Sequence, residues 1–247
     1  MQKVSVITMT YNDLTHLKQC VDGILKQDYE NIEYIIVDGA STDGTVEFLT
    51  GLSEQLGDKL RWVSEPDKGL YDALNKGIDM AAGDIIGIMN DCFAAEDVIT
   101  RMVSVIEAEG TDGVHGNINY VDGQRVVRRW RMGQGSIRTG WMVGHPTMYL
   151  KREVYEMYGR YDLSLKIAAD YEFMIRILKD GTVKLSYIDD VLVNMFHGEN
   201  STSTGGLKNY IASFREGHRA LVQNGVRFAW VTDLCRIFRF VLQFFTW

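Results

Sequence analysis

The stretch YIIVDGASTDGT, residues 34–45, is the part of the chain that decides the fold. Four apolar residues lead directly into Asp38 and Gly39, and a second carboxylate, Asp43, follows five positions after the first. An apolar run of this length, bounded by small polar residues, is typical of a strand that is buried on both faces. The stretch therefore predicts a buried strand that ends at a tight loop with two aspartates.

The same order of strand, loop and helix continues on both sides of this stretch. Strands are predicted at VSVITMT, IEYIIVD, LRWVSE and DIIGIMN, and segments with apolar residues at helical spacing follow each of them. Asn12 or Asp13 can cap the first helix. This alternation predicts an α/β fold with a mostly parallel twisted sheet, helices on both faces and further helices at the C-terminal end.

Polar segments follow the predicted strands at residues 8–13, 38–43, 65–69 and 90–91. Ligands of open parallel sheets bind at the carboxyl ends of the strands, so these segments are expected to meet at one edge. Asp38 is either a ligand contact or the cap of a turn, whereas Asp43 is interpreted as a helix cap. Neither a dinucleotide-binding glycine motif nor a P-loop follows the strands.

Composition limits the class of protein. The 247 residues are 46% hydrophobic and 24% charged, which suits one large α/β domain or two small ones. The net charge of -7 argues against a general nucleic-acid binder. Cys20, Cys92 and Cys235 are few and far apart, which fits a reducing compartment. No signal peptide or transmembrane helix is indicated, so we expect a cytoplasmic protein.

Four motifs carry a resemblance to a known family. They are VSVITMTYN, YIIVDGASTDGT, SEPDKGLYDALNKGIDMAAGDIIGIMND and GRYDLSLKIAADYEFMIRILKDG. In this order they resemble the motifs of family 2 glycosyltransferases, in particular bacterial members that build surface polysaccharides. The resemblance implies the GT-A fold and transfer of a sugar from a nucleoside diphosphate donor, with inversion at the anomeric carbon. It also implies a catalytic domain at 1–206, with a nucleotide-sugar-binding half at 1–110 and an acceptor-binding half at 111–206.

The resemblance assigns donor contacts to five residues. Thr8, Tyr11 and Asp38 match family positions that bind the nucleotide, commonly a uridine. Lys68 and Asn75 match positions near the diphosphate and the sugar, and a lysine is a suitable point charge for phosphate. The alternatives are that Tyr11 packs at a helix start and that Lys68 is a solvated loop residue.

The metal motif departs from the family pattern. Family members follow the fourth strand with two or three acidic residues, whereas this chain has IMNDCF with Asp91 alone. One carboxylate, donor phosphates and water can still hold Mg²⁺ or Mn²⁺. Asp91 is therefore predicted as the metal ligand and as part of the donor site. Cys92 is interpreted as a packing residue, since thiolates do not suit these cations.

Asp170 is predicted as the catalytic base. It lies in KIAADYEFMIRIL at the start of a predicted helix, where its carboxylate can project into a cleft. The family resemblance makes it the group that removes the proton from the acceptor hydroxyl. The alternative is a helix cap, which would contribute about 1 kcal/mol to stability.

The acceptor half offers weaker candidates. His145 falls where family members often carry a histidine. It either lines the cleft or lies in the core with its hydrogen bonds satisfied. Trp141 either stacks on an acceptor sugar or packs. The arginine-rich segment 125–138 is either a solvated hairpin or faces the diphosphate of a lipid-linked acceptor.

The tail at 207–247 carries six Lys or Arg and two acidic residues, so the first 206 residues hold a net -11. Within 228–247 a narrow polar stripe with Arg236 and Arg239 runs along an otherwise apolar helix. Such a helix can lie on an anionic membrane surface. It can equally pack on the catalytic domain or pair two subunits of a homodimer.

The sequence thus predicts an inverting, metal-dependent sugar transferase, cytoplasmic or peripheral on the inner face of the membrane. Its acceptor is expected to be a glycan or a lipid-linked saccharide. One alternative is a sugar nucleotidyltransferase, although TMTYND lacks a glycine-rich phosphate loop. The other is a degenerate sugar-nucleotide-binding protein, which the thin metal motif suggests.

Overall fold

A computed structural model describes residues 1–123, 125–196 and 206–242, with side chains in the last segment described from Tyr210 onward. The strands are β1 (Val4–Thr10), β2 (Ile32–Asp38), β3 (Leu60–Ser64), β4 (Ile85–Ile88), β5 (Cys92–Phe93), β6 (Gly113–Asp122), β7 (Arg125–Trp130), β8 (Tyr149–Lys151) and β9 (Leu185–Phe196). The helices are α1 (Leu14–Leu25), α2 (Thr45–Leu56), α3 (Leu70–Met80), α4 (Val98–Glu109), α5 (Arg152–Tyr158), α6 (Ala169–Leu178), α7 (Gly206–Gln223) and α8 (Ala229–Leu242).

Within these residues, nine strands form one sheet in the order β3-β2-β1-β4-β8-β6-β9-β5, with β7 paired to β6. The strands β1 to β4 are mutually parallel. Strand β8 enters antiparallel between β4 and β6, and β6 and β9 are parallel to each other. The predicted α/β class is confirmed. The second half of the sheet is mixed, because short β8 runs against both of its neighbours.

The first four predicted strands and their helices are all present. Helix α2 begins at Thr45, two residues after Asp43, which the sequence indicated as a helix cap. Ala40 and Gly44 have φ angles of 64° and 93°, so the chain turns twice through the left-handed region before the helix begins. The loop between β2 and α2 is therefore tightly turned.

Helix α3 lies unusually close to β1. A Cβ atom on Gly77 would be 2.4 Å from Cγ2 of Ile7, so only a glycine permits this approach. The close contact places the N-terminal turns of α3 above the carboxyl ends of the central strands, where Tyr71 and Asn75 enter the candidate site.

A buried carboxylate fixes the opposite edge of the sheet. Glu33 is 2% exposed and accepts hydrogen bonds from the Ser5 hydroxyl at 2.6 Å and the Ala82 N–H at 2.8 Å. The Lys3 Nζ and the Arg61 Nη1 lie 3.3 and 3.4 Å from the Oε1 of Glu33. Burial alone would raise the pKa of Glu33, but the Ser5 and Ala82 hydrogen bonds and the Lys3 ammonium hold it below its ordinary value.

We expect Glu33→Ala to lower the free energy of unfolding by roughly 2–3 kcal/mol, because it leaves buried donors without an acceptor. Urea denaturation at neutral pH measures the change. The exposed Glu54→Ala on α2 is the matched control and should stay within about 0.5 kcal/mol of the wild type. The loss in Glu33→Ala should shrink as the pH falls through the lowered pKa, since the wild-type carboxylate then loses its charge. Equal stability of the two variants would contradict this role for Glu33.

Candidate active site

The carboxyl ends of β1, β2 and β4 are joined by side-chain hydrogen bonds. The buried Thr8 hydroxyl donates to the Met89 carbonyl at 2.5 Å and accepts from the Tyr34 hydroxyl at 3.0 Å. The Asn90 amide pairs with both backbone groups of Met9, at 3.1 and 2.7 Å. Thr8, which was predicted to contact the nucleotide-sugar, therefore holds together the buried strand ends beneath the polar segments.

Asp38 ends β2 with its carboxylate completely buried. One oxygen accepts from the Ser41 hydroxyl, and the other accepts from the Ser41 N–H at 3.0 Å and the Ser64 hydroxyl at 2.6 Å. Register places Asp38 beside Thr10 of β1 and Ser64 of β3. Asp38 thus joins the ends of β2 and β3 to the turn at Ser41, and its predicted contact with a ligand stays a prediction.

Asp43 serves helix starts, as the sequence suggested. Its carboxylate accepts from the Leu14 N–H at 2.9 Å and the Thr45 N–H at 3.2 Å. These are the first residues of α1 and α2, whose N–H groups have no partner within their helices. The second aspartate of the loop therefore ties two helices to the sheet edge.

Tyr11 presents an exposed aromatic ring at this edge. The residue is 66% exposed, and its ring lies beside Gly39, where a Cβ atom would be 3.2 Å from Cδ2 of Tyr11 and 2.8 Å from Oδ2 of Asp67. The loops that follow β1, β2 and β3 therefore meet at one glycine. The neighbouring Lys68 is exposed, and its N–H donates to Asp72 at 3.0 Å.

Asp170 lies in the first turn of α6, where it is half-buried. Its Oδ1 lies 3.1 Å from the Tyr71 hydroxyl and accepts from the Tyr171 N–H at 2.8 Å. The single proton of this Tyr71 hydroxyl is shared between Asp170 and the Ile167 carbonyl, which lies 2.7 Å from the hydroxyl oxygen. Burial and the negative charge of Asp170 raise the pKa of Tyr71, so this hydroxyl stays protonated and can donate.

Tyr161 joins two further predicted residues to this cluster. The Asn75 amide donates to the Tyr161 carbonyl at 3.0 Å and accepts from its N–H at 2.9 Å. The Tyr161 hydroxyl lies 2.7 Å from Nε2 of His145, and its ring packs 5.7 Å from that of Tyr71. Burial lowers the pKa of His145, against the opposing effect of the Asp170 carboxylate. The structure thus brings Asn75, His145 and Asp170 together, with Asn75 engaged on the backbone of Tyr161.

Trp141 lies in the core. It is 6% exposed, its Nε1 donates to the Met132 and Gly133 carbonyls at 3.1 Å each, and its ring meets the edge of His115 at 5.4 Å. These contacts favour packing, the alternative considered above, over stacking on a sugar. Its assignment to the acceptor site stays a prediction.

Asp91 is a single buried carboxylate. It is 8% exposed, and its Oδ1 accepts from the Phe196 N–H at 3.1 Å. Burial raises its pKa to about 6, against the opposing effects of the Phe196 hydrogen bond and of His16. The His16 Nε2 is 2.5 Å from the Asn90 carbonyl, which leaves that nitrogen already engaged.

Few ligands for a divalent cation surround Asp91 among the described residues. In the described part of the chain, no three His, Cys, Asp or Glu side chains are grouped to hold a metal ion. The half-buried Cys92 thiol, which faces the Gln19 carbonyl at 3.9 Å, adds no hard ligand. A nearby cation stabilises the charged form of a carboxylate that burial has removed from water. Asp91 therefore fits a cation as one protein ligand, with the remaining oxygens supplied by a phosphorylated ligand and water.

Sequence reasoning missed Glu216 of α7. Its carboxylate accepts hydrogen bonds from three consecutive backbone N–H groups, those of Lys166 at 3.2 Å, Ile167 at 2.8 Å and Ala168 at 3.0 Å. These residues lead directly into Asp170. No motif marks Glu216, because its partners are backbone groups 48 to 50 residues away. Tyr71 and Tyr161, by contrast, lie inside the motifs quoted above.

We expect Glu216→Ala to expose the amides of Lys166, Ile167 and Ala168 to hydrogen exchange. It should also lower the free energy of unfolding by roughly 1.5–3 kcal/mol, because a charged hydrogen-bond acceptor is lost. Hydrogen–deuterium exchange read by mass spectrometry measures the local effect. Arg215→Gln, an exposed neighbour on the same helix, is the control and should leave this segment protected. Unchanged exchange in Glu216→Ala would show that the carboxylate does not hold this loop.

Known proteins resemble this chain in sequence and in fold. The family description "Glycosyl transferase family 2" matches residues 5–168. An uncharacterised glycosyltransferase of Mycobacterium tuberculosis is 32% identical over 191 residues, which cover 70% of this chain and 68% of that protein. A PGL/p-HBAD biosynthesis glycosyltransferase of Mycobacterium bovis is 27% identical and covers 97% of this chain and 96% of its own length.

Two solved structures show the same fold. Staphylococcus aureus TarS 1-349 in complex with UDP-GlcNAc has a TM-score of 0.73 at 17% identity, covering 96% of this chain and 71% of that one. The mannosyltransferase PcManGT from Pyrobaculum calidifontis, in complex with GDP-Man and Mn²⁺, has a TM-score of 0.66 at 22% identity, covering 96% and 74%. The expected GT-A fold is thereby confirmed. The family match to residues 5–168, about two thirds of the chain, and the mycobacterial relatives agree with this fold. This chain belongs to the family 2 glycosyltransferases.

Proposed function

We propose that this enzyme transfers a sugar from a nucleoside diphosphate donor, foremost a UDP-sugar, to a hydroxyl group of a glycan or lipid-linked acceptor, with inversion. The observation that carries the proposal is the setting of Asp170. Within the described residues, both hydrogen bonds to its carboxylate end on Oδ1, which leaves Oδ2 to accept a proton. The complexes of TarS with UDP-GlcNAc and of PcManGT with GDP-Man support a nucleotide-sugar donor.

The nucleotide is proposed to lie across the loops that meet at Gly39. The exposed ring of Tyr11 is available to stack on the base, and aromatic stacking of a base contributes about 1–3 kcal/mol. Thr8 and Asp38 shape the floor beneath it. The exposed Lys68 supplies a positive charge for the diphosphate. Asn75 acts on the sugar side by holding Tyr161.

Asp170 is proposed as the general base. Its carboxylate removes the proton from the acceptor hydroxyl while that oxygen forms a bond to the anomeric carbon and the bond to the diphosphate breaks. Attack from the face opposite the leaving group inverts the configuration. A well-placed base accelerates such a step by roughly 10²–10⁴-fold. Tyr71 orients the carboxylate, and His145 with Tyr161 forms the neighbouring wall on the acceptor side.

Asp91 is proposed to bind Mg²⁺ or Mn²⁺ together with the diphosphate. Such a cation, when bound, neutralises charge that develops on the leaving diphosphate. The Mn²⁺ in the PcManGT complex supports a divalent cation in this fold. The Phe196 hydrogen bond orients the Asp91 carboxylate and leaves its second oxygen for the cation.

The two halves of the chain are proposed to divide the substrates. Residues 1–110 bind the nucleotide-sugar, residues 111–206 bind the acceptor, and the C-terminal helical tail, 207–247, provides the contact with a membrane or a second subunit. Glycans and lipid-linked saccharides are acceptors of bacterial surface-polysaccharide synthesis. We therefore place the enzyme in the cytoplasm, at the inner face of the membrane.

We expect Asp170→Asn to lower the transfer rate by roughly 10²–10⁴-fold, because the amide has the same shape but cannot take a proton. Donor affinity, measured by isothermal titration calorimetry, should stay close to the wild-type value. Asp180→Asn, in the turn after the same helix, is the matched control and should retain full transfer. A variant at position 170 that keeps more than about a tenth of the wild-type rate would remove Asp170 from the base position.

Loss of charge at Asp91 is expected to weaken Mn²⁺-dependent donor binding, whereas Cys92→Ser should leave it intact. Asp91→Asn is the sharper variant, since its amide oxygen can still accept from the Phe196 N–H. Donor binding is titrated with and without Mn²⁺, and circular dichroism verifies the fold. Turnover that EDTA leaves unchanged would exclude the proposed cation and assign charge neutralisation to Lys68 or other cationic groups.

A further inference from the structure

Helix α8 turns its polar side toward the protein and its apolar side toward solvent. Thr232 and Asp233 are 1% and 2% exposed, whereas Trp230, Leu234 and Phe238 are 62%, 58% and 64% exposed. From the sequence, the polar stripe with Arg236 and Arg239 was expected either to flank a membrane contact or to lie against the catalytic domain or a second subunit. In the structure both arginines contact the protein body.

Several contacts fix this orientation. The Thr232 hydroxyl donates to the Arg138 carbonyl at 3.1 Å, and the Arg239 Nε donates to the Thr139 carbonyl at 3.0 Å. Arg236 pairs with Asp233 at 3.2 Å and lies 4.7 Å from the ring centre of Tyr171. The pair with Asp233 lies within the helix, but rotating α8 to bury its apolar face would break the contacts with Arg138, Thr139 and Tyr171. The outward apolar side is therefore built into the fold.

The outward side is the main apolar surface of the described chain. Nine of the 19 exposed large apolar residues of the described chain lie between residues 228 and 242. We call the part formed by Trp230, Val231, Leu234, Ile237, Phe238 and Val241 the α8 face. A surface of this kind on a protein usually marks an interaction site.

Positive charges surround the α8 face. The Arg227 guanidinium lies 4.9 Å from the ring centre of Phe228, and that of Arg128 lies 6.0 Å from the ring centre of Phe240. Arg138 is exposed on the turn that packs beneath the helix. The two acidic residues of 206–242 point inward, since Glu216 binds backbone N–H groups and Asp233 is buried. The rim of the face is therefore basic, although the whole chain carries -7.

We propose that the α8 face docks on an anionic lipid bilayer, with the helix lying along the membrane surface. Aromatic and aliphatic side chains would enter the headgroup boundary, and the basic rim would meet acidic lipids. Within the described ranges, no helix has the length and apolar character to cross a bilayer. A second copy fits the face less well, because a two-fold interface brings each basic rim against its equivalent.

Vesicle flotation of the full chain tests the docking without any substrate, so its outcome is independent of the proposed transfer reaction. Phosphatidylcholine vesicles with phosphatidylglycerol should carry the protein upward in the gradient, and phosphatidylcholine alone should carry much less. High salt should weaken the binding, because it screens the rim. Equal binding to both vesicle types, or none to either, would overturn the proposal.

Two double variants separate the apolar and the charged contributions. Trp230→Glu with Phe238→Glu should lower the partition coefficient by about a hundredfold or more, since two buried side chains are lost and two negative charges added. Arg138→Gln with Arg227→Gln should lower it by about thirtyfold, or roughly fivefold per arginine. Thermal melting verifies that each variant folds, and the exposed arginine variant serves the test even if the glutamate variant does not fold.

Matched controls carry the same chemistry elsewhere. Met157→Glu replaces an apolar residue that is 71% exposed on α5, and Lys18→Gln with Lys59→Gln removes two exposed charges from the opposite half. These variants should float like the wild type. If the full chain ignores anionic vesicles but sediments as a dimer that Trp230→Glu with Phe238→Glu dissociates, the face is an interface between two copies and the membrane proposal is wrong.

Discussion

The parallel register of β1, β2 and β3 is the constraint on which the site depends. It places Thr10, Asp38 and Ser64 side by side, so that one buried carboxylate binds the end of β3 and the turn at Ser41, while the Gly39 N–H bonds the Thr10 carbonyl of β1 at 2.9 Å. A shift of one residue would turn Asp38 to the other face of the sheet and separate it from these partners. Asp38 ends β2 because it closes the sheet edge. Asp43, in the loop that follows, accepts hydrogen bonds from the first residues of two helices.

A second set of polar contacts connects the halves of the chain. Tyr71 and Asn75 on α3 reach residues 167, 170 and 161, and α3 can approach β1 closely because Gly77 has no side chain. These bonds are largely removed from water, so breaking one leaves an unpaired buried group. The position of Asp170 is thus set by the nucleotide half as well as by its own helix.

The sequence predicted what depends on local pattern and missed what depends on distant partners. Strand ends, helix faces and the Asp43 cap follow from apolar spacing and short-range hydrogen bonds. The bonds of Glu216 to residues 166–168, the burial of Trp141 and the outward side of α8 depend on which surfaces meet after folding. The polar stripe of α8 was visible, but its direction was not. A polar stripe faces solvent by default, and here backbone carbonyls at residues 138 and 139 offer it partners instead.

The last two helices contact the residues on both sides of Asp170 and are not an appendage to the sheet domain. Glu216 of α7 holds the loop before Asp170, and Arg236 of α8 lies over the ring of Tyr171, the next residue in the chain. The His218 ring binds the buried Asp233 at 2.6 Å, which joins the two helices to each other. Removing α8 would therefore uncover Tyr171 and disturb Asp170, the proposed base, along with any surface contact. Substitutions on the outward side of α8 can separate the proposed attachment from the proposed catalysis, because those side chains point away from every contact that reaches Asp170.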